Sequence, residues 1–366
     1  MKKIFIAFLL VVTQLCSLAA AGGLLRKRNE RVYAYFEELE PLGDRQPFLW
    51  EEEKEAYELV CSEDECRILQ LTDLHIGGSE ATEREDLLAF GAMYRLIRHS
   101  QPDLIVVTGD LVYTKQSKTH SDDNANAFTL LCAFFERVGI PWTYTLGNHD
   151  TEGTADAEEL LEISAGYEMC LSQQAEPVGG RCNLWIRLCD SQGELFESLY
   201  LLDSGDYEAD GYGRVSEEQL QWYEEKVREA QAEAGAQTDS MLFFHIPFYE
   251  WDWLAEQYRR GSGSVNYYYG RIGETGGVLN CSAKSSGMLE RILRLGSTSA
   301  VFVGHDHLND LSLEYEGVRF TYGKSIDFLA YRNIEDYTYQ RGATLIAVSA
   351  DGSREIVPIV LEEIGG

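Results

Sequence analysis

Five short stretches of this chain carry residues of the kind that hold metal ions: Asp73-Leu74-His75, Gly109-Asp110, Gly147-Asn148-His149-Asp150, His245, and Gly304-His305-Asp306-His307. Imidazole and carboxylate together suit Fe, Zn or Mn, and a set without thiolate disfavours softer ions. Taken singly, each stretch is weak. A DxH also fits a solvated turn. A lone histidine after the apolar SMLFF also fits a satisfied core histidine. An HxH on a strand places both imidazoles on one face, whatever they do there. The histidine count separates these readings. The chain has seven histidines (75, 99, 120, 149, 245, 305 and 307), and five of them fall in these stretches. Each stretch also follows an apolar run, and ligands of open α/β sheets bind beyond the carboxyl ends of the strands.

The elements that must position these residues follow from periodicity. CRILQLTD (66–73), DLIVVTGD (103–110) and WTYTLGNHD (142–150) read as strands. Between the first two, Thr82 and Glu85 form a capping box that opens a helix to about His99, with Leu87, Leu88, Gly91, Tyr94 and Ile97 on one face. Asp123 to Val138 is a second helix, stopped by Gly139 and Pro141. Strand–helix–strand–helix–strand with short connections implies a parallel sheet with right-handed crossovers. Further on, NLWIRLCD (183–190) and ESLYLLDSGD (197–206) suit a hairpin pair, and Ser216 to Ala234 a helix. SMLFFHIP (240–247) is a buried strand, Ser285 to Leu295 a helix, and SAVFVGHDH (299–307) a strand. VRFTYG, ATLIAVSA and EIVPIVLEE are the final strands. Residues 250–282 read as a long loop, a candidate lid. No linker divides the chain, so residues 67–366 form one domain of two packed sheets with helices outside, after an N-terminal extension and hairpin (22–66).

DLH, GD, GNHD, a later lone histidine and GHDH, in that order over residues 73–307, resemble the motif set of the calcineurin-like metallophosphoesterases. The resemblance implies an α/β (α+β) four-layer sandwich: two mixed β-sheets packed face to face, with helices on both outer sides. It also implies two divalent or trivalent metal ions (Fe, Mn or Zn) at the strand ends. Carried over by position, one metal takes Asp73, His75, Asp110 and His307, and the other takes Asp110, Asn148, His245 and His305. Asp110 bridges them and is implied to share in catalysis. Two divalent ions against two ligand carboxylates leave about +2 locally, which draws in phosphate. A metal pair can hold a hydroxide at neutral pH for in-line attack on a phosphoester. His149 is implied to stand beside the phosphate as a catalytic group outside the ligand set. Asp150 either orients backbone or imidazole, or caps its loop.

Two departures refine the resemblance. Protein Ser/Thr phosphatases of this superfamily continue the second motif as GDxxDRG, whereas this chain has GDLVYTK, with Tyr113 where the partner aspartate of the catalytic histidine would stand. GDxxY is similar to purple acid phosphatases, but they carry Gly where His75 stands here, so Tyr113 is expected as a neighbour of the metals and not a ligand. LDSGDY (202–207), FFHIPFYE (243–250), FVGHDHLND (302–310) and Tyr322-Gly323 are most similar to the single-domain purple-acid-phosphatase-like group. That implies hydrolysis of phosphomonoesters. The alternatives are a phosphodiesterase acting on small diesters, such as cyclic nucleotides or phospholipid headgroups, and a metal-binding protein without turnover. Expected substrate contacts are Asn148, His149, Tyr249 and, within the 250–282 segment, Arg271 with its aromatic neighbours Trp251, Trp253, Tyr267, Tyr268 and Tyr269.

Composition bounds the rest. Apolar content of 45% and charged content of 25% are those of a folded soluble protein. A net charge of −30 repels nucleic acid and anionic lipid, which leaves a small phosphorylated substrate as the expected partner. MKKIFIAFLLVVTQLCSLAAAGG has the basic start, short apolar stretch and small-residue cleavage site of a secretory signal peptide, residues 1–21. The expected location is therefore secreted or extracytoplasmic (periplasm or cell surface), with no stable membrane insertion after cleavage. Cys61 with Cys66, bracketing a four-residue loop between two strands, suits a disulfide, as does Cys170 with Cys182. Cys132 and Cys189 are expected as buried thiols.

Overall fold

The computed structural model describes residues 22–43, 48–61 and 65–365, so the expected signal peptide lies outside the described residues. A helix α1 (22–38) leads to a hairpin of β1 (Phe48–Glu51) and β2 (Ala56–Val60). Then follow β3 (Glu65–Leu71), α2 (Glu83–Ser100), β4 (Leu104–Thr108), a short α3 (Gln116–Thr119), α4 (Asn124–Val138), β5 (Trp142–Thr145) and α5 (Ala157–Ser164). The second half runs β6 (Leu184–Cys189), β7 (Leu195–Leu201), a ribbon of β8 (Tyr207–Glu208) and β9 (Gly211–Tyr212), α6 (Glu217–Ala234), β10 (Ser240–Phe243), α7 (Glu250–Arg259) and β11 (Asn266–Tyr269). It ends with α8 (Met288–Leu295), β12 (Thr298–Val303), β13 (Ser312–Tyr315), β14 (Val318–Tyr322), β15 (Gly342–Ser349) and β16 (Arg354–Val360).

These strands form a five-stranded mixed sheet, β16-β15-β3-β4-β5, and a nine-stranded mixed sheet, β1-β2-β6-β7-β10-β12-β14-β13-β11. Alternation along the strands shows how they stack, because successive side chains point to opposite faces. In β3 and β4, Leu69, Leu71, Ile105 and Val107 pack with α1, α2 and α4, while Ile68, Leu104 and Val106 face a second core. In β10 and β12, Met241, Phe243, Ala300 and Phe302 enter that same second core, while Leu242, Val301 and Val303 pack under α6, α7 and α8. The layers are therefore helices, sheet, sheet and helices, which is the expected four-layer sandwich.

Several local expectations need correction. The capping box at the start of α2 is formed by Ser79 and Thr82 around a short 3-10 turn, not by Thr82 and Glu85. The buried face of α2 centres on Asp86, Phe90, Met93, Leu96 and Ile97, and Leu88 is exposed. The reason is α1, which covers α2 from the side: Phe36 meets Phe90 edge-on at 4.8 Å, and Arg28 forms a fully buried ion pair with Asp86. Residues 250–282 are not a free lid. Trp251, Leu254 and Ala255 bury the inner face of α7, and Asn266–Tyr269 pairs with β13 as the edge strand of the large sheet. Strands β2 and β3 lie in different sheets and are not partners. Cys61 and Cys66 are both buried free thiols, Cys61 donating to Leu59 O (3.8 Å), and neither expected disulfide is formed. Among the described residues no helix is long and apolar enough to cross a membrane.

Candidate metal centre

Parallel pairing of β3 with β4, of β4 with β5 and of β10 with β12 sends five strand ends to one edge of the sandwich. The backbone there is strained in a consistent way. Asp73, His75, Asp110 and His305 have φ of 52°, 51°, 51° and 79°, a left-handed conformation that costs a non-glycine residue about 1–3 kcal/mol. Hydrogen bonds across the ends hold it: Asp73 N–H donates to Gly109 O (3.1 Å), and Leu74 and His75 N–H donate to Asp110 O (2.9 and 3.1 Å). Two glycines admit this crowding. A Cβ on Gly147 would sit 2.3 Å from the Asp110 nitrogen, and one on Gly304 would sit 1.9 Å from Thr72 Oγ1.

The side chains converge as two buried groups that share Asp110. In the first, donor atoms of Asp73, His75, Asp110 and His307 all lie within 4.8 Å of one another, and Asp110, His245 and His305 do the same in the second. His75 Nε2 faces His307 Nε2 at 3.0 Å, and His245 Nε2 lies 3.3 Å from Asp110 Oδ2. The HxH pair does not lie on a strand, since β12 ends at Val303; His305 and His307 diverge from a loop, one toward each group. Asp110 Oδ2, Asn148 Oδ1 and His305 Nε2 are buried without a hydrogen-bond partner among the described residues. Leaving such atoms unpaired costs about 1–3 kcal/mol each. A cation offsets that cost, so this nitrogen and oxygen donor set fits a pair of metal ions.

Neighbouring groups aim the ligands. His245 donates from Nδ1 to Thr108 O (2.8 Å) and His307 from Nδ1 to Asp327 (2.8 Å), so both turn Nε2 inward. Burial lowers His75 to about 3 and, with His245 beside it, holds His305 well below its ordinary value, so both stay neutral. Burial pulls His245 down too, but Asp110 outweighs it and lifts the group to about 9. At His307, burial is outweighed by Asp327, again to about 9. Burial also acts to raise Asp110, yet His245 and His149 hold it well below the usual carboxylate range.

His149 stands outside both groups. Its backbone N–H donates to Asp110 Oδ1 (2.9 Å), and its ring lies edge-on to Tyr113 at 4.9 Å and to His75 at 5.7 Å. Tyr113 lies edge-on to His75 at 5.4 Å. Asp150 joins backbone to backbone: Oδ1 accepts from Val112 N–H (2.9 Å) and Oδ2 from Gly147 N–H (2.7 Å). Burial, with Asp110 nearby, raises it to about 8. Asn148 donates from Nδ2 to Tyr207 Oη at 2.8 Å. Tyr249 sits 52% exposed at the N-cap of α7. Arg271 is committed elsewhere: its guanidinium stacks 3.3 Å over the Tyr339 ring, in a surface cavity shared with Lys324, Glu362 and Glu363.

The sequence left four neighbours unflagged. Asp327 follows no motif and reaches His307 through the tertiary fold. Tyr331 stacks flat on His307 at 4.4 Å, and Tyr212 meets His305 edge-on at 4.3 Å. Glu152 pairs with His149 Nδ1 at 2.7 Å, and its i+3 spacing was visible.

The profile described as "Calcineurin-like phosphoesterase" matches residues 66–309. Among curated relatives, "Probable inactive purple acid phosphatase 28" of Arabidopsis thaliana is 28% identical over 298 residues, covering 72% of this chain and 71% of its own. "Probable inactive purple acid phosphatase 29" of the same plant is 27% identical over 323 residues, covering 80% and 78%. A solved dimetal phosphatase from Danio rerio shares the fold, with a TM-score of 0.52 at 12% identity over 81% of this chain and 99% of its own.

Proposed function

The chain belongs to the calcineurin-like phosphoesterase family, and from that premise we propose that it is an exported, binuclear metal-dependent hydrolase of phosphomonoesters. The observation that carries this reading is the sharing of Asp110 between two buried donor groups, with unpaired Asp110, Asn148 and His305 atoms. Metal ions bound there would supply Lewis-acid polarisation of the phosphoryl group and activation of water. The chain's own residues do the rest. Asp73, His75, Asp110 and His307 would hold one ion; Asp110, Asn148, His245 and His305 would hold the other. Asp110 would serve both ions and, through Oδ1, holds the His149 backbone. His149 delivers a proton to the leaving oxygen. The local positive charge gathers phosphate on a protein of net charge −30.

The printed names of the two plant relatives favour a second reading, a metal-binding protein without turnover. The two buried donor groups that share Asp110, with His149 beside them, support hydrolysis instead. The test is a panel of phosphomonoesters and small diesters assayed with Mn, Zn and Fe after chelation. Metal-restored turnover of monoesters in preference to diesters is expected. Metal binding with no turnover of any ester would support the second reading.

A further inference from the structure

We propose that Glu152 is the positioning residue of His149, fixing the imidazole so that Nε2 alone faces the leaving oxygen. This rests on the proposed hydrolysis and adds a group to it. His149 is held at every other point: its N–H by Asp110, its ring edges by Tyr113 and His75, and its Nδ1 by Glu152 Oε2 at 2.7 Å. Its Nε2 makes no hydrogen bond among the described residues, and the side chain is 19% exposed.

Glu152 is itself built in place. Its N–H closes a turn onto His149 O at 3.2 Å, which brings the two side chains to one side. The turn is pinned to the start of α4: Asn124 donates from Nδ2 to Asp150 O (2.8 Å) and Ala155 O (2.7 Å), and its Oδ1 accepts from Ala155 N–H (2.8 Å). At Gly153 a Cβ would lie 2.3 Å from Asn124 Oδ1, so the turn packs directly against Asn124. The second Glu152 oxygen lies 3.8 Å from the Lys115 ammonium, a rim cation that leaves Oε2 to the imidazole. In the step itself, a water oxygen bonds to phosphorus as the bond from phosphorus to the leaving oxygen breaks, and the Nε2–H bond breaks as that leaving oxygen takes the proton. The neutral imidazole that remains keeps its Nδ1–H on Glu152.

A leaving group that departs without a proton does not need this arrangement, and the experiment uses that difference. Metal-loaded wild type, Glu152→Gln, Glu152→Ala, His149→Ala and the Glu152→Ala/His149→Ala double variant are compared on an alkyl phosphate and on para-nitrophenyl phosphate. Glu152→Ala is expected to lower kcat on the alkyl ester by about 10²-fold, with KM within about twofold, because general acid catalysis contributes at least that much. The loss on the nitrophenyl ester is expected to be within about tenfold, Glu152→Gln to fall between Glu152→Ala and wild type, and the double variant to match His149→Ala. Equal losses on both esters, additive losses in the double variant, or loss of metal from both Glu152 variants would overturn the proposal. Nitrogen NMR of the His149 ring gives a readout apart from turnover: the Nδ1 resonance is expected to be that of a hydrogen-bonded N–H, and to shift in Glu152→Gln. Wild type that loads metal and hydrolyses neither ester would refute the hydrolytic function, while the NMR result would still decide the pairing.

Discussion

Gly147→Ala tests whether the metal centre depends on close contact between two strand-end loops. The new Cβ would lie 2.3 Å from both the backbone nitrogen and the Oδ1 of Asp110, and 2.9 Å from its Cγ. Ordinary contacts begin near 3.4 Å, so one loop must move by about 1 Å. The backbone nitrogen cannot rotate away, and Asp110 Oδ1 is already held by the His149 N–H. Overpacking of this kind costs about 1–3 kcal/mol of stability. The effect on function is larger, because a misplacement of about 1 Å at a reacting centre costs about 10²-fold in rate. The assay pairs metal content with kcat/KM on a phosphomonoester. Gly91→Ala serves as control: its Cβ would meet only Tyr35 Oη, at 3.5 Å, and helix propensity favours the change by about 0.5–1 kcal/mol. Full metal loading and wild-type kcat/KM in Gly147→Ala would refute the role given to this contact.

Three further outcomes are expected. Asp327→Asn removes the carboxylate that orients His307 and should weaken metal binding by about 10–100-fold while the chain stays folded, as read by titration and circular dichroism. Metal affinity should rise with pH up to about 9, because His245 and His307 in the metal-free fold carry protons that a metal must displace; proton release measured by calorimetry in several buffers checks this. The sign for folding is opposite: His307 is raised from 6.5 to about 9, so its pairing with Asp327 stabilises the metal-free protein fully below 6.5 and is lost as pH rises through 9. Iron-loaded protein should lack the strong visible band of an iron-bound tyrosinate, since His75 occupies the position such a tyrosine would need; such a band would make Tyr113 a ligand.

Motifs that are contiguous in the chain were legible, because an apolar strand ending in DLH, GD, GNHD or GHDH brings its donors with it. The layer order was legible for the same reason: β4 and β10 are apolar on both faces, as buried central strands must be. What the sequence hid depends on partners distant in the chain. The buried face of α2 shifts because α1 lies on it through Phe36 and Arg28, and no local period carries that information. Residues 250–282 looked like a loop because their glycines and serines mask an amphipathic helix and a strand whose partner, β13, lies some 45 residues on. Asp327 is a lone carboxylate until folding sets it against His307. Arg271 invited a substrate role as part of an aromatic segment read as a lid, and its guanidinium stacks on Tyr339 instead.

The most direct measurement is metal stoichiometry and phosphomonoester turnover on one purified preparation, before and after chelation and metal return. Two ions per chain are expected, with turnover that disappears on chelation and returns with metal. One ion or none per chain, or turnover that survives complete metal removal, would contradict the shared-aspartate centre on which the proposed activity depends.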